Sequence, residues 1–213
     1  MQITQIKRGK DGAEKFHLYI DGRYLLTVHE QVCLQQHLRV GQQVSGEDLD
    51  FLEQCSQEIW AKAQALSHLS RRSMTAQQLR DKLETHYSPE VVEAAVARMT
   101  ELGYLNDEDY AARLARDMAR LRHFGSDRIR RELLARGIDR ETAEQTLEEL
   151  ESDPQQEILS LLGSKLERLA GELMDSQDPK VRNRLFGRLA RMGYSFEEIR
   201  SAWEAYCEQA DAQ

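Results

Sequence analysis

The sequence predicts a mainly α-helical protein of about three tandem three-helix repeats, preceded by a small β-meander. The first observation is repetition. An apolar i, i+4 pair, a turn, a capping residue and a second amphipathic run occur three times, beginning at Leu79, Ile129 and Leu185. Spacings of 50 and 56 residues are typical of a repeated helical unit. The second is composition: 40% apolar and 31% charged residues, with 12 Gly and 3 Pro in 213 residues, indicate a folded, helix-rich chain. Stacked units of this kind form an elongated, curved body that offers surfaces rather than catalytic pockets.

Residues 1–46 have the pattern of a β-rich extension. Apolar and polar residues alternate over residues 3–7, 16–20 and 24–28, and Asp-Gly turns separate these runs. Alternation around such turns predicts hairpins. A short helix over residues 30–37 follows. The segment is too small to be very stable alone, so we expect it to pack on the helical part.

From residue 47 onward the apolar period is that of helices. We predict repeats over residues 47–106, 107–151 and 152–213, with nine helices in three groups of three. Helix starts are marked by capping boxes at Thr75 and Ser195, and by Ser88 before Pro89. Further cap candidates are Asn106, Ser126 and Asp139, and the glycines expected as left-handed C-caps are Gly103, Gly137 and Gly193.

Catalytic motifs are absent from the sequence. There is no GxxxxGK[ST], GxSxG or HExxH, so phosphate cradling, serine acylation and zinc hydrolysis lack their usual parts. Paired acids at residues 48 and 50 and at residues 107 and 109 fall at helix starts, where negative charge favours the helix dipole. We therefore expect no enzyme, no catalytic residue and no cofactor.

The cysteines and histidines do not predict a disulfide or a metal site. Cys33, Cys55 and Cys207 are an odd number without CxxC spacing, which indicates reduced thiols. His29, Cys33 and His37 would share a face of a continuous helix, but His29 ends a predicted strand and a fourth ligand is missing. No apolar run is long enough to span a membrane, and the first residues lack the apolar core of a secretion signal. We expect a cytoplasmic protein without a membrane partner.

Charge is segregated along the chain. The primary basic stretch, residues 113–136, has eight arginines against three acids, a local charge of +5: Arg113, Arg116, Arg120, Arg122, Arg128, Arg130, Arg131 and Arg136. The secondary basic stretch, residues 180–191, has no acid and contains Lys180, Arg182, Arg184, Arg188 and Arg191. Between them, residues 141–157 hold seven acids and no basic residue.

These stretches are either solvated helix faces whose arginines pair with nearby acids or surfaces that bind a partner. On a helix, Arg113, Arg116 and Arg120 share one face, opposite an apolar face of Ala111, Leu114, Ala115, Met118 and Leu121. The preference for arginine favours recognition, because a guanidinium binds carboxylate or phosphate in a bidentate way. A whole-chain charge of −8 argues against a protein that mainly coats nucleic acid. A protein partner that itself holds DNA agrees better with this mixture.

Several segments together resemble the RecX family of bacterial recombination regulators. The resemblance is strong from residue 59 to residue 147 and weak in the third repeat, and it is carried by residues 65–72, 75–83 and 102–107 with Tyr110, Ala111, Gly125, Ile129, Leu133, Gly137 and Ile138. Ser126 departs from the pattern, since family members often have proline after the glycine. The β-rich beginning resembles the extension of longer family members.

The resemblance implies tandem three-helix repeats and a role as an inhibitor of the RecA recombinase filament. It implies binding in the filament groove and inhibition of assembly, ATP hydrolysis, strand exchange and co-protease activity, and so modulation of DNA repair and the SOS response. It implies no cofactor. Whether DNA is contacted directly, and whether the filament is capped or bound in its groove, stay open; we expect a monomer.

Two other classes of function stay open. The first is a DNA-binding regulator that places the helix of residues 126–136 in a major groove, with Arg128, Arg130 and Arg131 near its start. Against it stand the net acidity and the lack of a recognisable dimer element. The second is a helical-repeat scaffold for an unrelated protein, which differs only in the identity of the partner.

Overall fold

A computed structural model describes residues 1–9, 14–150, 153–162 and 179–211. Three strands come first: β1 (Ile3–Arg8), β2 (Lys15–Ile20) and β3 (Arg23–His29). Ten helices follow in the described ranges: α1 (Glu30–Gln35), α2 (Gly46–Leu69), α3 (Ala76–Leu83), α4 (Pro89–Glu101), α5 (Asp107–Arg122), α6 (Ser126–Ala135), α7 (Arg140–Glu148), α8 (Pro154–Leu161), α9 (Pro179–Met192) and α10 (Phe196–Asp211). The turn predicted at residues 10–12 lies outside the described residues.

The strands form an antiparallel sheet in the order β1-β2-β3. Their inner face is apolar and buried, with Leu18 and Val28 fully covered. It packs on α1 and on the first half of α2, where Leu49 and Leu52 complete the same core. The predicted meander is therefore confirmed, and it packs on a helix as expected.

The second half of α2 belongs to a three-helix bundle with α3 and α4. Ala61 and Ala65 of α2 join Leu79 and Leu83 of α3 and a row of apolar residues on α4 in one core. Small alanines allow close helix approach, since interiors pack without voids. Strands β1–β3 and helices α1–α4 lie in one compact unit, residues 1–106.

The second compact unit, residues 107–213, contains two further apolar cores in its described part. Helices α5, α6 and α7 enclose the first, around Ile129 and Leu133. Helices α8, α9 and α10 enclose the second, around Leu189 and Ile199. In the described residues, three helices line each of these cores. Apolar i, i+4 pairs give a helix an apolar side, and each such side covers part of the small interior.

Two glycines join these cores at close range. The N–H of Gly125, the N-cap of α6, donates to the carbonyl of Met192 at 2.9 Å. The carbonyl of Gly193, just past α9, accepts from the N–H of Asp127 at 3.2 Å. An α6 N–H group that would otherwise lack a helical partner is thus satisfied by the chain that follows α9.

The mainly helical fold class is confirmed, with corrections at the ends of elements. Gly125 rather than Ser126 is the N-cap of α6, because Ser126 already has helical backbone. Helix α1 ends at Gln35, and His37 has a positive φ of 49°, which ends the predicted helix early. Leu121 was placed on the apolar face of α5 but is 75% exposed, since the last turn of α5 extends past the core. The repeat boundaries stay predictions, and the one at 151–152 lies outside the described residues.

Candidate protein-binding surface

Three predicted contact residues project from one side of α5. Arg113, Arg116 and Arg120 are exposed at three- and four-residue intervals, while Ala115 and Met118 are buried on the other side. Nε of Arg116 donates to the carbonyl of Ala112, one turn earlier, at 3.1 Å. This contact lays the side chain along the helix and leaves its terminal nitrogens toward solvent.

Four arginines of the primary basic stretch are exposed and contact no acid, no aromatic ring and no other helix within the described part of the chain: Arg116, Arg120, Arg122 and Arg131. We call them the open arginines. Nε of Arg131 bonds only to the carbonyl of Asp127, at 3.1 Å. Their guanidinium groups keep most of their donors available for a carboxylate or a phosphate.

The other four arginines bind acids, an aromatic ring or a group on another helix of their own unit. Arg113 pairs with Asp109 at 3.2 Å. Arg130 forms a fork with both carboxylate oxygens of Glu144, at 2.9 and 3.1 Å, and also pairs with Asp127. These ion pairs stabilise α5 and the packing of α6 on α7.

Arg136 and Arg128 complete this internally bound set. Arg136 donates to Glu132 and, at 2.7 Å, to the hydroxyl of Tyr110. The guanidinium of Arg128 lies 3.9 Å from the ring centroid of Phe124 and donates to the carbonyl of Arg191. Half of the primary basic stretch is thus engaged by neighbours that the fold supplies, and partner binding by its eight arginines stays a prediction.

The secondary basic stretch lies on α9. Arg182, Arg184, Arg188 and Arg191 are all exposed, and no ion pair of theirs occurs among residues 1–9, 14–150, 153–162 and 179–211. Lys180 precedes them at the start of the helix. Phe186 faces the other way, against the core of α8–α10. The structure thus leaves a second arginine surface in the same unit as the open arginines.

A further basic cluster in the first unit escaped sequence analysis. His68, near the end of α2, has a buried Nε2 with no hydrogen-bond partner in the described residues. Burial lowers the pKa of His68, and the positive charges of Lys82, Arg71 and Arg72 lower it further. Arg71 and Lys82 are too far apart in sequence to form a charge run. Only the α2–α3 packing brings them together.

The described residues contain no cluster of three or more His, Cys, Asp or Glu side chains arranged to hold a metal ion. His29 caps α1 through its Nδ1, which accepts from the N–H of Gln31 at 3.0 Å, while its Nε2 bonds Glu14. Burial raises the pKa of the Cys33 thiol to about 11, so that thiol stays protonated and unreactive at neutral pH. None of the described helices is long and apolar enough to cross a membrane.

A cavity of about 440 Å³ lies between α2 and the start of α4. Its charged walls are acidic, from Asp50, Glu53 and Glu90, with His86 at one side. The carboxyl pKa of Glu90 is lowered by a backbone hydrogen bond and by Ser88, as expected for an acid in the first turn of a helix. Glu90 is thus a helix-start acid, whereas Asp50 and Glu53 lie beyond the first turn of α2.

The fold defines a protein of helical repeats, and comparison with known proteins gives its family. Two family models match: the first RecX three-helix domain over residues 61–99 and the second over residues 106–147. The regulatory protein RecX of Bacillus velezensis is 30% identical over 206 residues, 95% of this chain and 76% of the relative. That of Clostridium botulinum strain Alaska E43 is 26% identical over 93% of each chain.

A solved structure has the same fold. The crystal structure of a regulatory protein RecX superposes with a TM-score of 0.71 over 97% of this chain and 98% of the other, at 22% identity. The crystal structure of RecX from Lactobacillus salivarius gives a TM-score of 0.64 over 71% of this chain. The chain belongs to the RecX family of regulatory proteins.

Proposed function

We propose that this chain binds a RecA recombinase filament and inhibits its ATPase, strand-exchange and co-protease activities, thereby modulating DNA repair and the SOS response. The open arginines carry the proposal. The chain has 37 acidic residues against 29 basic ones, so acids to neutralise an arginine are plentiful. Four arginines in one stretch that nevertheless lack ion pairs in the described structure are available for a partner's acids.

The acidic stretch supplies the second half of this argument. Glu144 and Glu157 are engaged by Arg130 and Tyr194, but Glu141 and Glu148 on α7 are exposed. A surface that carries basic and acidic patches side by side fixes the register of a partner and speeds encounter more than it adds affinity. A polymer of identical subunits would offer such a surface repeated contacts of the same kind.

The competing hypothesis, in which α6 reads duplex DNA, agrees less well with the contacts. Arg128 is held between Phe124 and the carbonyl of Arg191, and Arg130 is held by Glu144. Inserting α6 into a major groove would require both arginines to give up these partners. Of the three proposed readers only Arg131 is open.

The test is the single-strand-DNA-dependent ATPase rate of the cognate RecA with substoichiometric amounts of the protein. The wild-type chain should inhibit well below one copy per RecA subunit. Reversing Arg116→Glu and Arg120→Glu together should raise the concentration for half-inhibition at least about tenfold, because two attractive contacts become repulsive.

The matched control is the pair Arg98→Glu and Arg200→Glu. Both side chains are exposed on helices, and the net charge changes by the same amount. The control should inhibit like the wild type. A folded Arg116/Arg120 variant that inhibits as well as the control would remove this surface from the mechanism, and a wild-type chain without effect on RecA would reject the proposed function itself.

A further inference from the structure

The outer face of the β-sheet is not explained by the helical repeats. Helices α1 and α2 cover the inner face, where Ile3, Leu18 and Val28 are fully or almost fully buried. The strand register places Gln5, Lys7, His17, Tyr19, Tyr24 and Thr27 on the opposite face. No described helix packs there, yet the face is aromatic rather than simply polar.

Its aromatic side chains form a connected group. Tyr24 lies edge-to-face with His17 and with Tyr19, at ring-centroid distances of 5.8 and 6.0 Å. The hydroxyl groups of Tyr24 and Thr27 are 3.0 Å apart, and His17 Nδ1 lies 2.8 Å from the same Thr27 oxygen. Tyr24 is nevertheless 56% exposed. The ring is held in place by its neighbours while a large part of its π surface remains in water.

Positive charge accompanies these rings. The ammonium of Lys7 lies 4.9 Å from the centroid of Tyr19. Arg23 is exposed next to Tyr24 in the chain and makes no ion pair within the described ranges. Lys7 therefore lies beside the tyrosines on the outer face, whereas Arg23 stands opposite the buried Ile20 and belongs to the other face of the sheet.

Among the described residues, the nearby acids are committed elsewhere. Asp21 accepts from the N–H of Gln2 at 3.0 Å, Glu14 bonds His29, and Glu30 pairs with Arg8. None of the six residues of the outer face is acidic. A chain with net charge −8 thus keeps one aromatic surface positively charged.

We propose that this sheet face binds single-stranded nucleic acid, with a base stacked on Tyr24 and a backbone phosphate near Lys7. Unpaired bases stack on exposed aromatic rings of β-sheets, and flanking cations hold the phosphates. The site is separate from the arginines of α5 and α6 and does not rest on the proposed action on RecA.

The alternative is that the rings only stabilise the sheet. Cross-strand aromatic pairs do so, and Tyr19 stands opposite Tyr24 in the register. Stabilisation alone requires neither the exposure of Tyr24 nor the lack of an acid among the six outer-face residues. Charge complementarity favours a polyanion over an apolar peptide as the occupant.

The test is fluorescence anisotropy of a labelled oligothymidylate of about 15 nucleotides with the full chain. Tyr24→Ala should weaken binding about tenfold, and Tyr24→Phe, which keeps the ring but loses the Thr27 contact, should stay within about twofold of wild type. Tyr104→Ala is the matched control, because Tyr104 is similarly exposed, at 58%, outside the sheet. Circular dichroism verifies that each variant folds.

A duplex of the same length separates stacking from general attraction to phosphates. Paired bases cannot stack on Tyr24, so Tyr24→Ala should leave duplex binding unchanged. Equal loss on both probes, or equal affinity of Tyr24→Ala and Tyr104→Ala for the oligothymidylate, overturns the proposal. A wild-type chain that does not bind the oligothymidylate also overturns it. The face would then bind a peptide or only stabilise the sheet.

Discussion

At the scale of single residues, the contact between Gly125 and Gly193 leaves no room for a side chain. A Cβ added to Gly125 would lie 2.4 Å from the carbonyl oxygen of Gly193. A Cβ added to Gly193 would lie 2.5 Å from the backbone nitrogen of Arg128. Because the obstructing atoms are backbone, they cannot rotate away. The two glycines therefore fix how the α5–α7 and α8–α10 cores meet.

We expect Gly193→Ala to lower the free energy of unfolding of the second unit by about 2–5 kcal/mol. Its φ of +96° costs an L-residue about 1–2 kcal/mol, and forcing an extra methyl group into a filled space adds about 1–3 kcal/mol. Urea unfolding followed by Trp203 fluorescence, in a Trp60→Phe background, measures this.

Gly103→Ala separates the two contributions to that loss. Gly103 also has a positive φ, of +74°, but nothing lies within 4 Å of its added Cβ. Its substitution, followed by Trp60 fluorescence in a Trp203→Phe background, should therefore cost only about 1–2 kcal/mol. Equal losses at the two positions would mean that the contact with Arg128 relaxes at no cost.

Sequence analysis could identify Gly193 but not its neighbour. A glycine after an apolar helix indicates a left-handed C-cap, and the positive φ values of Gly103, Gly137 and Gly193 confirm this. The approach of Gly125 joins positions far apart in the chain, so no local pattern reports it. For the same reason the sequence favours Ser126 as the cap. In the structure, the distant carbonyl of Gly193 accepts from the N–H of Asp127 in the first turn of α6.

At the scale of helices, the first two repeats use the same ion pair between their second and third helices. Arg80 of α3 binds Glu93 of α4 at 2.7 and 3.2 Å. Arg130 of α6 binds Glu144 of α7 at 2.9 and 3.1 Å. Both are two-pronged contacts, which combine directional specificity with charge. Each therefore helps to set the angle between the two helices.

A double-mutant cycle on Arg130→Ala and Glu144→Ala should give a coupling energy of about 0.5–1 kcal/mol. Both side chains are about one-third exposed, so water screens part of the attraction. The comparison pair is Arg200 and Glu204, which are 3.8 Å apart and about two-thirds exposed. Its coupling should be about 0–0.3 kcal/mol. A coupling at Arg130 no larger than this would show that the fork does not stabilise the α6–α7 contact.

This ion pair also explains why the candidate binding surface is only partly predictable from the sequence. The helical period correctly places Arg113, Arg116 and Arg120 opposite Ala115 and Met118. It does not reveal that an acid on the following helix neutralises a given arginine. Sorting the eight arginines into open and engaged groups requires the packed structure, as does the cluster around His68.

At the scale of the whole molecule, charge is distributed unevenly. The net charge is −8, while the primary basic stretch alone carries +5. Strong binding to bare nucleic acid is driven by release of counterions and is greatest for broadly basic surfaces. The primary basic stretch, which is followed by the acidic residues 141–157, should instead select partners that present complementary patches of both signs. We therefore expect the open arginines to contact carboxylates of the filament protein.

Salt dependence distinguishes that expectation from direct contact with DNA. Each arginine that neutralises a duplex phosphate adds about 0.9 to the slope of log affinity against log salt concentration. Replacing Arg116 and Arg120 by glutamine should lower the slope of RecA inhibition by less than about 1 in total, since contacts to carboxylates release few condensed counterions. The measurement is the half-inhibitory concentration at several salt concentrations, with Arg98→Gln and Arg200→Gln as the control. A decrease of nearly 2 in the slope would contradict the carboxylate assignment and place both guanidinium groups on phosphates.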